Sequence, residues 1–163
     1  MLIREINPES IAEIKLVASR MRQTLVDVLG EERGESMYTM EWLVDRVLWH
    51  LDPKKTKAKV YLATSDKDQI VGQAIVRLES DNTDSEYGYF STIYVEPSWR
   101  GQGVATKLIE TVEKWLIKSE IQTVIYNTAT DNSRLISLFQ FLGYQLFETH
   151  DNMVRLKKDF SKN

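Results

Sequence analysis

Val95-Glu96-Pro97-Ser98-Trp99-Arg100-Gly101-Gln102-Gly103-Val104-Ala105-Thr106 joins two segments of different period. Before it, Tyr87 to Val95 is a run of β-branched and aromatic residues without a charge, the pattern of a buried strand. After it, Val104, Leu108, Val112, Trp115 and Leu116 recur at three- and four-residue steps and predict a helix over 101–119. Ile121 to Tyr126 reads as the next strand, so strand, helix and strand have the dimensions of a right-handed parallel crossover. Gly101 and Gly103 sit where the first strand turns into the helix. Free N–H groups and partial positive charge at a helix N-terminus suit a phosphate, and glycines let it approach the backbone. The same glycines also serve a plain tight turn.

Outward from this crossover the elements continue on both sides. Leu2 to Ile6 alternates like a half-buried strand, and Ile11, Ile14, Val17, Met21, Leu25 and Val28 mark a helix ending at Gly30. A second helix is expected from Glu35 to Leu51, stopped by Pro53. Lys59 to Thr64 and Ile70 to Leu78 read as a hairpin about Ser65-Asp66-Lys67-Asp68. Asp131 is a predicted N-cap for a helix carrying Leu135, Leu138, Phe139 and Leu142, with Gly143 at its C′ position. Tyr144 to Thr149 and Met153 to Lys157 form a last predicted hairpin. The order β-α-α-β-β-β-α-β-α-β-β requires a mixed sheet.

Composition narrows the function classes. The 163 residues carry 21 Lys and Arg against 24 Asp and Glu, a net charge of −3, which argues against a broad basic nucleic-acid face. At 42% hydrophobic and 28% charged the chain is globular in type, and a chain this long buries roughly 68–70% of its unfolded surface. It has no cysteine, so disulfides, thiolate metal sites and a cysteine acyl-enzyme are excluded. No secretory leader or membrane span is visible, no linker divides the chain, and the expectation is one soluble, cytoplasmic domain over residues 1–163. The two histidines, His50 and His150, lack partners at metal-ligand spacing, so no metal is expected. His50, at a helix end beside Pro53, is expected to be partly positive.

The two familiar phosphate loops fit poorly. A dinucleotide fingerprint needs a third glycine where Thr106 stands, and the mononucleotide loop needs Gly-Lys-Ser/Thr after a four-residue gap. Arg100-x-x-Gly103-x-Ala105 instead resembles the Q/R-x-x-G-x-G/A signature of the GNAT superfamily of acetyl-CoA-dependent N-acetyltransferases. Asn132-Ser133-Arg134-Leu135-Ile136-Ser137-Leu138-Phe139-Gln140-Phe141-Leu142-Gly143-Tyr144 resembles that superfamily's second motif, N-x-x-A-I-x-L-Y-x-x-x-G-F.

The resemblance implies an α/β (α+β) fold: a central, mostly antiparallel mixed sheet with one parallel β-α-β crossover and helices on both faces. It implies transfer of acetyl from acetyl-CoA to a primary amine of a small molecule or peptide, with no metal, nucleic acid or membrane, by a monomer or homodimer. The backbone of Gly101, Gln102, Gly103, Val104, Ala105 and Thr106 would cradle the diphosphate beside Arg100. Ile93, Tyr94 and Val95 would pair with the pantetheine arm, and Asn132 would hydrogen-bond it. The sequence departs from the pattern at two places. Phe139 stands where many members have a proton-donating Tyr, so the general acid is open and a packing role for Phe139 is favoured. Asn127 stands where enzymes acting on a ribosomal protein's N-terminus have a Glu, leaving Glu86 and Glu96 as candidate bases. Glu31, Glu32, Glu35 and Glu41 form an acidic field suited to a cationic acceptor, or only a solvated helix face. A module that binds acyl-CoA without turnover is the competing reading.

Overall fold

The computed structural model describes residues 1–162. In chain order the elements are β1 (Leu2–Glu5), α1 (Ile11–Leu29), α2 (Glu31–Met37), α3 (Met40–Leu51), β2 (Ala58–Thr64), β3 (Ile70–Ser80) and β4 (Glu86–Val95). Then follow α4 (Val104–Lys118), β5 (Thr123–Ala129), α5 (Ser133–Phe141), β6 (Gln145–His150) and β7 (Met153–Asp159). The strands form one sheet in the order β1-β2-β3-β4-β5-β7-β6. Among the described residues only the β4–β5 pair is parallel, which is the crossover expected around α4. No helix among the described residues is long and apolar enough to cross a membrane.

Alternation along the strands builds two cores. Val60 and Leu62 face α1 and α3, meeting Ile14, Val17, Leu43 and Val47. Tyr61 and Ala63 point to the opposite face and join the cluster that includes Val104, Leu108, Val112 and Leu116 of α4 and Phe139 of α5. Each fully buried aliphatic side chain there contributes about 1.5–3 kcal/mol of transfer free energy. Gly88 lets α4 lie close to the sheet: a Cβ there would meet Leu116 Cδ1 at 2.6 Å.

The expected second helix is broken in two. Tyr38 is extended, and the Thr39 side chain accepts from Trp42 N at 3.0 Å, starting α3 afresh. The cap of α5 also moves by one residue, from Asp131 to Asn132. Its end follows the expected pattern, with Gly143 at φ +99, Tyr144 N bonded to Phe139 O and Gly143 N to Gln140 O. β5 starts later than Ile121 because α4 closes in the same manner through Glu120 at φ +62, and Ile121 N is spent on Leu116 O at 2.9 Å.

His50 overturns the expectation of a partly positive side chain. It is 2% exposed; its Nδ1–H donates to Arg46 O at 2.9 Å and its Nε2 accepts from Arg77 Nη1 at 3.2 Å. Burial, joined by the charges of Arg77 and Arg46, lowers its pKa to about 4, so the ring is neutral. The unfolded chain binds a proton near pH 6.5 that the folded chain refuses. Stability from this neutral ring is therefore fully present above pH 6.5 and falls as pH drops toward 4, by up to about 3 kcal/mol. Thermal unfolding across pH 4–7 should show a slope that His50→Gln reduces; an equal slope in both proteins contradicts this assignment.

Candidate active site

The parallel ladder between β4 and β5 has three rungs: Gly88–Val124, Tyr89–Ile125 and Phe90–Tyr126. Beyond them the strands follow different partners. β4 runs on along β3 as far as Val95 opposite Gly72, and β5 stays with β7 as far as Ala129 opposite Met153. A bulge at the divergence helps to turn β4 away, since Ile75 pairs with Thr92 but Val76 with Phe90, leaving Ser91 extra. The facing edges of the two strands thus carry backbone donors and acceptors free for an extended ligand. Phe139 closes the base of this wedge: it stacks on Tyr126 at 4.1 Å and meets Phe90 and Tyr144 edge-on at 5.4 and 4.8 Å.

From Val95 the chain passes through a short turn, Pro97–Trp99, into the glycine pair. Gly101 and Gly103 have φ of +75 and +83, a region in which a side chain is strained. No atom lies within 4 Å of a Cβ built on either, so their open sides are available to a ligand. Arg100 Nε donates to Val95 O at 2.9 Å and pins the strand end to the turn. The first α4 backbone bond runs from Lys107 N to Gly103 O, so the N–H groups of Val104, Ala105 and Thr106 lie ahead of the helical ladder. No acidic side chain occupies that first turn. The loop is an amide cradle at the positive end of a 15-residue helix.

Wedge and cradle open on one cavity of about 390 Å³. Ile93, Tyr94 and Val95 form its strand wall, and Arg100, Gly101, Gly103, Val104, Ala105 and Thr106 its loop wall. Asn132 lies opposite, its Nδ2 donating to Thr128 Oγ1 at 2.9 Å. Of the residues expected at the cofactor, Gln102 alone is off the wall; its Nε2 donates to Ser98 O at 3.2 Å. Several wall residues lie outside that set, three of them charged: Arg134, Asp27 and Asp131. Arg134 begins α5 inside the second motif; burial and the charge of Arg100 lower its pKa, so two guanidinium groups share the cavity. Asp27, from the polar side of α1, carries no motif that could have marked it.

Neither candidate base lies on the cavity wall. Glu96 Oε1 accepts from Arg20 Nε and Nη2 at 3.1 and 2.8 Å, so the carboxylate is held by that guanidinium and not presented to the cavity. Glu86 is exposed at the far end of β4, nine residues and roughly 30 Å from Val95. Asn127 is also engaged, donating to Tyr89 Oη at 3.4 Å and accepting from Arg155 Nε at 3.0 Å. Glu31, Glu32, Glu35 and Glu41 are exposed on α2 and α3, and none of them lines the cavity. Phe139 is fully buried, in keeping with the packing role. Tyr144 is tied to Glu113 Oε2 at 2.7 Å, and burial with that carboxylate raises its pKa well above the usual value. Among the described residues no group of three or more His, Asp or Glu side chains is arranged to hold a metal ion.

The model of the acetyltransferase (GNAT) family matches residues 19–144, from the middle of α1 to the end of the second motif. The chain belongs to this family. N-alpha-acetyltransferase 30 of Schizosaccharomyces pombe is 27% identical over 79 residues, 48% of this chain and 53% of that protein. The chain thus spans about half the length of this curated relative. In fold it is similar to PaiA N-acetyltransferase of Thermoplasma acidophilum in complex with coenzyme A, with a TM-score of 0.77 at 18% identity over 97% of this chain and 98% of that one. An aminoglycoside 6'-N-acetyltransferase complexed with coenzyme A gives a TM-score of 0.71 at 16% identity over 98% and 97% of the two chains.

Gly103 separates a cradle from a plain turn. Gly103→Ala and Gly103→Glu carry similar backbone strain, about 1–2 kcal/mol, but only glutamate sends a negative chain into the loop. Calorimetric titration with acetyl-CoA should find the alanine variant within a few-fold of the parent and the glutamate variant at least tenfold weaker than the alanine one. Equal affinities for the two variants leave the loop a turn and nothing more.

Proposed function

We propose that the chain transfers an acetyl group from acetyl-CoA to a primary amine by direct attack in a ternary complex. The observation that carries this reading is the continuity of wedge and cradle: unpaired β4 and β5 edges run into a glycine loop at a helix N-terminus. A diphosphate on the amides of Gly101 to Thr106 puts an extended pantetheine arm beside Ile93, Tyr94 and Val95, with Asn132 in reach of it. Family membership and the coenzyme A in two structures of the same fold support the choice of ligand.

The chemistry asks little beyond positioning. The amine nitrogen, once deprotonated, attacks the thioester carbonyl; a C–N bond forms, the C–S bond breaks, and the nitrogen loses its remaining extra proton to solvent. Coenzyme A departs as a thiolate. A thiol pKa near 8.5 makes this a tolerable leaving group that water can protonate. Free N–H groups on β4 supply donors for the carbonyl oxygen as it gains charge. Holding amine and thioester together substitutes for a bimolecular encounter, an advantage of up to about 7–11 kcal/mol for well-oriented groups.

The second reading, binding of acyl-CoA without turnover, is favoured by Phe139 in the tyrosine position and by the engagement of Glu96 with Arg20. Thiol release from acetyl-CoA separates the two. A panel of polyamines, amino acids, aminoglycosides and lysine peptides should contain an amine that raises release well above the blank. Tight acetyl-CoA binding with no amine-dependent release from any of them contradicts transfer and supports the binding module.

A further inference from the structure

The walls of the cavity differ in charge. Arg100, Arg134 and the free amides of α4, with one carboxylate, Asp131, line the loop and α5 side, and Thr24, Asp27 and Val28 line the α1 side. Asp27 Oδ1 accepts from Gln23 Nε2 at 2.9 Å, one helical turn away, and makes no ion pair within 4 Å among the described residues. Arg134 from α5 and Tyr94 from β4 are near enough to feel its charge, and Arg100 and Asp131 share the cavity with it.

Its place on the helix is a second, independent observation. Asp27 stands in the last turn of α1, where free carbonyls leave partial negative charge and a carboxylate is on the unfavourable end. No basic residue occupies that turn to offset it. Helix end and carboxylate together make a cation site on the wall of a cavity whose other side is built for phosphates. The phosphates of the donor substrate are repelled from this wall. A protonated amine is drawn to it.

We infer that Asp27 receives the ammonium group of the acceptor and, with Val28, selects a primary amine carried on an apolar arm. This rests on the acetyl-transfer reading and adds to it an acceptor-binding residue on α1, in place of the acidic field of α2 and α3. The ammonium is held at Asp27 on entry and gives up its proton to solvent before the nitrogen attacks.

The test compares the parent chain with Asp27→Asn, Asp27→Glu and Glu31→Gln. It measures acetyl-CoA affinity by calorimetry, the thermal midpoint, and kcat and KM for spermidine, tyramine and a peptide amide with a free N-terminal alanine. For every amine the parent turns over, Asp27→Asn should raise KM tenfold or more, with acetyl-CoA affinity unchanged or tighter and a thermal midpoint equal or higher. Asp27→Glu should recover part of the lost amine affinity, and Glu31→Gln should change neither constant. An amine KM unaffected by Asp27→Asn overturns the inference, as does a loss of acetyl-CoA affinity in step with the loss of amine affinity. Acetyl-CoA binding by the parent with no turnover of these three amines or of any amine in the wider panel sinks the transfer reading, and this inference with it; turnover of panel amines whose KM is unmoved by Asp27→Asn overturns the inference alone.

Discussion

Three parallel rungs join the two halves of the sheet, and the arrangement of the candidate site follows from where they stop. Gly88, Tyr89 and Phe90 are hydrogen-bonded to β5; Ile93, Tyr94 and Val95 are not. The strands cannot stay together because each is committed elsewhere, β4 to β3 up to Val95 and β5 to β7 up to Ala129. The bulge at Ser91 turns one strand, and the Phe90, Tyr126 and Phe139 rings fill the space beneath. A buried backbone edge without partners is normally costly. Here it opens on a cavity, and the open edge is the feature that a ligand can complete.

The same divergence explains the position of the cradle. β4 ends where it has left β5, so the turn through Arg100 to Gly103 begins α4 over the mouth of the wedge. Arg100 binds back to Val95 O and sets that turn. Its Nε is spent on that backbone bond, and the guanidinium still lines the cavity into which the positive end of α4 points. The net charge of −3 is no obstacle to such a site, because the attraction comes from oriented amides and two nearby guanidinium groups.

Legibility in the sequence tracked how local each cause is. The crossover and glycine pair were readable because strand period, helix period and positive φ are written in consecutive residues. The break between α2 and α3 was not: the apolar stripe runs through it, and a single hydroxyl, that of Thr39, restarts the helix. His50 was misjudged because its neutral state comes from burial and from Arg77 on β3, a residue 27 positions away. Glu96 drew attention as a carboxylate beside the loop, but Arg20, 76 positions back, had already engaged it. Asp27 went unnoticed for the same reason: only the fold carries the end of α1 to the cavity. Within one motif the spacing could be read; pairings between distant elements could not.

The central claim is that the open β4 and β5 edges receive the extended arm of an acyl-CoA. A crystal structure of the chain with coenzyme A tests it most directly. Pantetheine amides should be bonded to the backbone of Ile93 and to Val95 N, since Tyr94 is paired with Gln73 and Val95 O with Arg100, and the diphosphate should lie on the amides of Gly101 to Thr106. Coenzyme A bound with its pantetheine arm outside the wedge, or with the glycine loop untouched, contradicts it.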